Sequence, residues 1–212
     1  MSNLRKLKEL TGGGNFIKYC LMLPLTLPHY VCVLFAKERA KIREDVQVWM
    51  HGKSISFFID LTYLLIFYKE YRNVYYLRVG SIIRKLLFYL PQLSTLYIGP
   101  QSKNVGGGFF LHHGFSTIIV AQKIGKNTWI NQQVTIGYSN SHKNGYGCPV
   151  IGDNVTISAG AVVVGNITIG DNVRIGANTT VTKDVPPNSV IISSPSYVLS
   201  RNSEGECVKS KL

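Results

Sequence analysis

The sequence predicts a parallel β-helix of hexapeptide repeats preceded by an α-helical N-terminal region. Three observations carry this reading. First, a β-branched aliphatic residue returns every sixth position. It does so at Ile118, Ile124, Ile130 and Ile136, then at Ile151, Ile157, Val163, Ile169, Ile175 and Val181. Second, a turn former follows three places later at Asn127, Asn154, Gly160, Asn166, Asn172, Asn178 and Asp184. Ile and Val favour extended backbone. Asn, Gly and Asp tolerate the left-handed backbone of a tight corner. A period of six made of short strand plus corner is the mark of a hexapeptide solenoid; helices and plain sheets have other periods. Third, residues 1–96 lack this period and carry apolar and aromatic residues at helical spacing.

The stretch "IGDNVTISAGAVVVGNITIGDNVRIGANTTVTKDVP" resembles the hexapeptide acyltransferases, and within them the serine acetyltransferase-like branch. That branch includes enzymes that O-acetylate sugars of surface polysaccharides. The resemblance covers about residues 97–201. It implies a left-handed triangular prism, against the usual right-handed crossover of parallel strands. It also implies acetyl-CoA as co-substrate, no metal, and a homotrimer with each active site closed between two prisms.

Taken in order, the front half comes first. Lys plus Arg number 23 against 11 Asp plus Glu, a net +12. Residues 1–95 hold 14 basic and 6 acidic groups, so 14 − 6 = +8 of that charge lies there. A basic, aromatic-rich half fits an anionic partner. No nucleic-acid-binding motif is present, so nucleic acid is not expected as a partner. Tyr19–Ala36 carries no charge and contains Pro24 and Pro28. It reads as two short buried helices broken at the prolines, as a shallow or re-entrant membrane insertion, as a span, or as a cleaved signal. Two or three further helices end near Pro91, with Lys69, Arg72, Arg78, Arg84 and Lys85 interleaved. They form either a helical cap on the prism or a basic face on a membrane. The four cysteines show no metal spacing and read as reduced thiols of a cytoplasmic protein, peripheral at the inner membrane face if the front half touches lipid.

Gly106–Phe115, "GGGFFLHHGF", stands just before the regular repeat. A hydroxyl that attacks a thioester must lose a proton, and imidazole is the side chain suited to take it near neutral pH. The resemblance puts the family's catalytic histidine at His113. His112 stands where serine acetyltransferases carry an aspartate.

From Ile136 to Ile151 the spacing is fifteen, so Tyr138–Pro149 must leave the prism as a loop. In the family that loop reaches a neighbouring subunit's site and carries a histidine directly before a proline. Here Cys148 precedes Pro149, and the nearest imidazole is His142. His112, Tyr138, His142 and Tyr146 are the candidate acceptor contacts.

Ala159 and Ala177 are eighteen apart, one full turn, and so stack on one side. They match the small residues of the family's CoA groove. Thr182 and Lys183 match its Thr-Lys pair near the adenosine phosphates. Arg201 substitutes for a basic residue the family places where Tyr197 stands. Neither nucleotide fingerprint, GxxxxGK[ST] nor GxGxxG after a strand, is present. The domain limits expected are 1–96, 97–201 and a mobile tail, 202–212.

The reading that follows is an acetyl-CoA-dependent O-acetyltransferase. Its acceptor is expected to be a sugar hydroxyl rather than free serine, because no carboxylate lies close in sequence to hold an ammonium. Asp60 or Glu70 of the helical half could still supply one. A trimeric β-helix without activity is the alternative of another class.

Overall fold

The computed structural model describes residues 3–141, 145–193, 197–201 and 207–211; for 140, 141, 145, 146, 197–201 and 207–211 only the backbone is described. Six α-helices come first: α1 (Asn3–Thr11), α2 (Gly13–Phe35), α3 (Arg39–Trp49), α4 (Phe57–Phe67), α5 (Lys69–Val79) and α6 (Ser81–Leu86). Short parallel strands then wind into a three-faced β-helix.

The strand register gives three interior columns. The first face stacks Ile98, Ile119, Ile136, Val163 and Val181. The second stacks Val105, Ile124, Ile151, Ile169 and Val185. The third stacks Leu111, Ile130, Ile157, Ile175 and Ile191. The column members of the middle coils are fully buried, so one side chain per face fills the prism at each level.

This register corrects the sequence pattern at its start. Ile118 is about half exposed, and Ile119 is the interior residue. The step from Ile119 to Ile124 is five, and the six-residue count run backwards from Ile124 lands on the wrong neighbour. A whole first coil, Ile98–Val105–Leu111, lies before the regular repeat and escapes it because its steps are irregular.

The corners behave as the Asn spacing predicts on two of the three edges. Between the second and third faces, Asn127, Asn154, Asn172 and Asn188 all take left-handed φ. Their side chains form a ladder, each amide donating to the next carbonyl oxygen at 2.9–3.1 Å. Between the third and first faces, Gln133, Gly160 and Asn178 take the same conformation. On the remaining edge the prediction fails: Gly165, at φ 112°, makes the turn beside Asn166, and the Asp184 carboxylate instead accepts from the Thr168 amide. The loop expected at Tyr138–Pro149 leaves from this edge. Its backbone pairs antiparallel, Ser139–Ser141 with Gly145–Gly147.

The helical half differs from its expectation in two ways. Tyr19–Ala36 does not break at its prolines, because α2 is one helix. Pro24 and Pro28 are four apart and both exposed, so their missing N–H groups fall on one outward face. Inward, Thr26 donates to Leu23 O and Tyr75 to His29 O, while at the exposed flank Tyr89 donates to Leu25 O. Next, Arg72 and Arg78 are buried rather than part of a basic surface. At the C-terminal end the backbone of Cys207–Lys211 pairs antiparallel with Tyr197–Arg201.

α5 joins the two halves. Arg72 donates to Leu65 O and Ile66 O, the open carbonyls at the end of α4, and to Pro91 O. Asn73 bonds both backbone groups of Leu93. Arg78 forms a bidentate pair with Asp45 of α3 (2.9 and 3.2 Å) and donates to Val105 O and Gly106 O of the first coil.

Candidate active site

The strand Phe110–His112 belongs to the third face of the first coil, and His113 is the corner residue that follows. Its φ is 64°, left-handed for a residue with a side chain. Strain of this kind persists where surrounding structure enforces it, and it recurs at functional sites. The next residue explains the turn. Gly114 is also left-handed (φ 39°), and a side chain there would press on Glu70 and Leu96, each at 3.2 Å from an ideal Cβ. The chain must therefore carry a glycine at 114 and close against α5.

Two contacts from α3 fix the strand. Asp45 accepts from the Phe109 amide at 2.9 Å, and Trp49 Nε1 donates to Phe109 O at 2.9 Å. Burial pushes the Asp45 carboxyl up, while Arg78 and the Phe109 amide pull it back.

Around the corner lies an aromatic cluster. The His112 and His113 rings are 4.0 Å apart between centroids. His112 stacks on Phe110 at 6.0 Å and meets Trp129 edge-on at 5.9 Å. His51, at the end of α3, packs on Phe110 and Trp129. The His112 pKa is lowered, first by desolvation and then by His113 and His51, with Glu70 opposing. Both ring-bearing residues of the pair, His112 and His113, are exposed.

The register decides which predicted residues meet. The third-to-first edge carries His113 in the first coil, Gln132–Gln133 in the second, Ala159–Gly160 in the third and Ala177–Asn178 in the fourth. Backbone bonds link successive corners: Gln133 N to Phe115 O, Gly160 N to Gln132 O and Asn178 N to Ala159 O. His113, Ala159 and Ala177 thus share one edge of the prism. Thr182 and Lys183 are exposed on the next edge, after Val181 of the first face. Tyr138 is exposed where the loop departs. His142 lies outside the described residues, as do the side chains of Tyr146 and Arg201. Cys148 is a free thiol, partly buried. Among the described residues no group of three or more His, Cys, Asp or Glu is placed to hold a metal ion.

Of the two acidic residues that the helical half could lend, one reaches the site. Glu70, in the first turn of α5, lies against Gly114. Asp60 does not: it is buried and bonded to Ser54 Oγ and the Ile55 amide. Sequence reading missed His51 altogether. Neither residue carries a local motif; the fold of the helices alone brings them to the first coil.

A scan against family models matches residues 148–183 to the bacterial transferase hexapeptide model (six repeats). Among curated relatives, a serine acetyltransferase of Staphylococcus epidermidis is 36% identical over 136 residues, covering 64% of this chain and 61% of the relative. The Staphylococcus aureus enzyme is 36% identical over 139 residues, 65% and 62% of the two chains. The chain thus spans about three fifths of the length of these relatives. Among solved structures, serine acetyltransferase isoform 3 of Entamoeba histolytica, in complex with cysteine, aligns over 94% of this chain and 71% of its own. Its TM-score is 0.59 at 25% identity. Soybean serine acetyltransferase complexed with serine gives a TM-score of 0.56 at 26% identity, over 74% and 67% of the chains. The fold is a left-handed parallel β-helix behind a helical N-terminal region.

Proposed function

We propose that the protein is an acetyl-CoA-dependent O-acetyltransferase with His113 as its general base. The observation that carries the proposal is the shared edge: the exposed imidazole of His113 stands in line with Ala159 and Ala177, which match the small residues of the resembled family's CoA groove. His113 takes the proton of the acceptor hydroxyl as its oxygen bonds to the thioester carbonyl carbon. The C–S bond then breaks, and the imidazolium returns the proton to the leaving thiolate. Ala159 and Ala177 present no bulk, so a pantetheine arm could run against the backbone. Thr182, Lys183 and Arg201 are the residues proposed for the phosphates.

For the acceptor, the relatives are serine acetyltransferases, and this favours L-serine over the sugar hydroxyl expected from sequence. Glu70 supports the same acceptor, since it brings a carboxylate to the catalytic corner from a different element. A serine ammonium needs such a partner. The aromatic cluster of Phe110, His112 and Trp129 supports the second reading, a saccharide stacked on aromatic faces. Thiol release from acetyl-CoA with serine, free sugars, nucleotide sugars and oligosaccharides separates the two. Glu70→Gln is expected to raise KM for serine roughly 10- to 100-fold with little change in kcat, the size of one charged hydrogen bond. Efficient turnover of a sugar and none of serine would reverse the choice.

We also propose a homotrimer. The edge that carries His113 is open to solvent in one chain, and a second prism would close it. Light scattering in mild detergent should give a mass near 3 × 23.6 kDa. A fully active monomer would rule this out.

A further inference from the structure

We propose that the outward face of α2, with α6 and Phe88 beside it, docks on an anionic lipid surface and lies in its interfacial plane. This does not rest on the reaction above. α2 has two apolar faces and one of them has no partner. Tyr19, Thr26, His29 and Val33 form the buried stripe. His29 Nε2 meets the Tyr76 hydroxyl at 3.0 Å, and Thr26 meets Thr62. On the opposite side Ile17, Leu21, Leu27, Val31, Leu34 and Phe35 are exposed, Leu21 at 74% and Phe35 at 84%. The end of the helical half meets the flank of α2. Tyr89 donates to Leu25 O and its ring meets His29 edge-on. The Phe88 ring, 6.4 Å from that of Tyr89, is 76% exposed, and Ile82 of α6 is 75% exposed.

Charge selects the occupant. Lys6, Lys8 and Lys18 lie on α1 and α2, and Arg84 and Lys85 on the exposed last turn of α6. A second copy of the same face would bring like charges together, because this half of the chain is net +8. An anionic bilayer satisfies both the apolar and the basic residues.

The geometry also selects the depth. At 23 residues α2 is about 34 Å long, enough to cross a hydrocarbon core. A span would tear Thr26 from α4 and His29 from α5. Pro24 and Pro28 leave the carbonyls of Cys20 and Pro24 without intrahelical donors on the outward side. Those carbonyls need water or headgroups, which the interface supplies and the hydrocarbon core does not.

The test is co-sedimentation of the full chain with vesicles of phosphatidylcholine alone and of phosphatidylcholine with phosphatidylglycerol, at low and physiological salt. The chain should pellet with the anionic vesicles, and less at higher salt. The triple variant Leu21→Ser, Val31→Ser, Phe88→Ser should stay in the supernatant while keeping the thermal unfolding midpoint and the acetyl-transfer rate in solution. Arg84→Gln with Lys85→Gln should weaken partitioning by about tenfold or more, as removal of two near-surface charges implies. No pelleting at low salt, or equal binding to both vesicle types, would overturn the proposal. So would self-association in solution that the triple variant abolishes, since that would make the partner a second copy.

Discussion

His113→Ala is expected to lower turnover by about 10² to 10⁴ while acetyl-CoA still binds, because that is the range for losing a general base. Ala159, Ala177, Thr182 and Lys183, proposed for CoA, lie in the third to fifth coils, whereas His113 lies in the first. The backbone adds a second expectation. Position 113 is left-handed, and alanine tolerates that region less well than asparagine or glycine. His113→Asn is therefore the cleaner variant: it keeps the corner and removes the base. Both should titrate normally with CoA by calorimetry and show the same loss in steady-state rate. Activity within a few-fold of the parent would move the role to His112 or His51, the other imidazoles of the cluster. The pH profile gives a separate check. His112, its pKa lowered by desolvation and by neighbouring imidazoles, stays neutral near pH 7. His112→Asn should therefore leave the shape of the pH profile above pH 7 unchanged.

Asp45→Ala should destabilise the protein by about 3–5 kcal/mol, the range for removing one partner of a buried ion pair. The thermal midpoint would drop by roughly 10 °C. Asp45 is fully buried and holds three groups at once: Arg78 Nε, Arg78 Nη2 and the Phe109 amide. Removing it leaves a guanidinium in the core and an unpaired backbone donor on the strand that leads to His113. Activity should fall before global unfolding, because that strand is held from α3 through this carboxylate and Trp49. The double variant Asp45→Leu, Arg78→Met should recover much of the stability, since an apolar pair replaces the buried charges. It would not recover the Phe109 contact, so activity should lag behind stability. An Asp45→Ala protein that melts with the parent would show that the pair contributes nothing net.

The prism was legible in the sequence because its physics is local. One aliphatic residue per face and one corner residue per turn repeat at fixed spacing. The middle coils, Ile124 to Val181, follow that period with buried aliphatics throughout. The period failed where the steps are irregular, at Ile118 against Ile119 and at the first coil. There the corner is drawn out by His113, Gly114 and Ser116, all left-handed. The excursion after Ile136 was legible from spacing alone. Of the readings open for Tyr19–Ala36, two helices broken at the prolines failed, because that reading counted proline penalties without knowing which side faces out.

By itself the sequence determined the repeat, the place of the loop and the eighteen-residue stack of Ala159 on Ala177, each through spacing along one chain; His113 came instead from the resemblance of its neighbours to the family. Only the tertiary structure decided which acidic residue lies beside the His113–Gly114 corner. Asp60 and Glu70 are ten residues apart and look alike in sequence. Helix packing buries Asp60 against Ser54 and sets Glu70 on Gly114. It likewise decided that Arg72 and Arg78 are internal struts, because burial of a charge depends on the acceptors that distant segments bring to it. Periodicity is a one-dimensional property and survives in the sequence. The meeting of α5 with the first coil is set by packing between elements, and no local pattern records it.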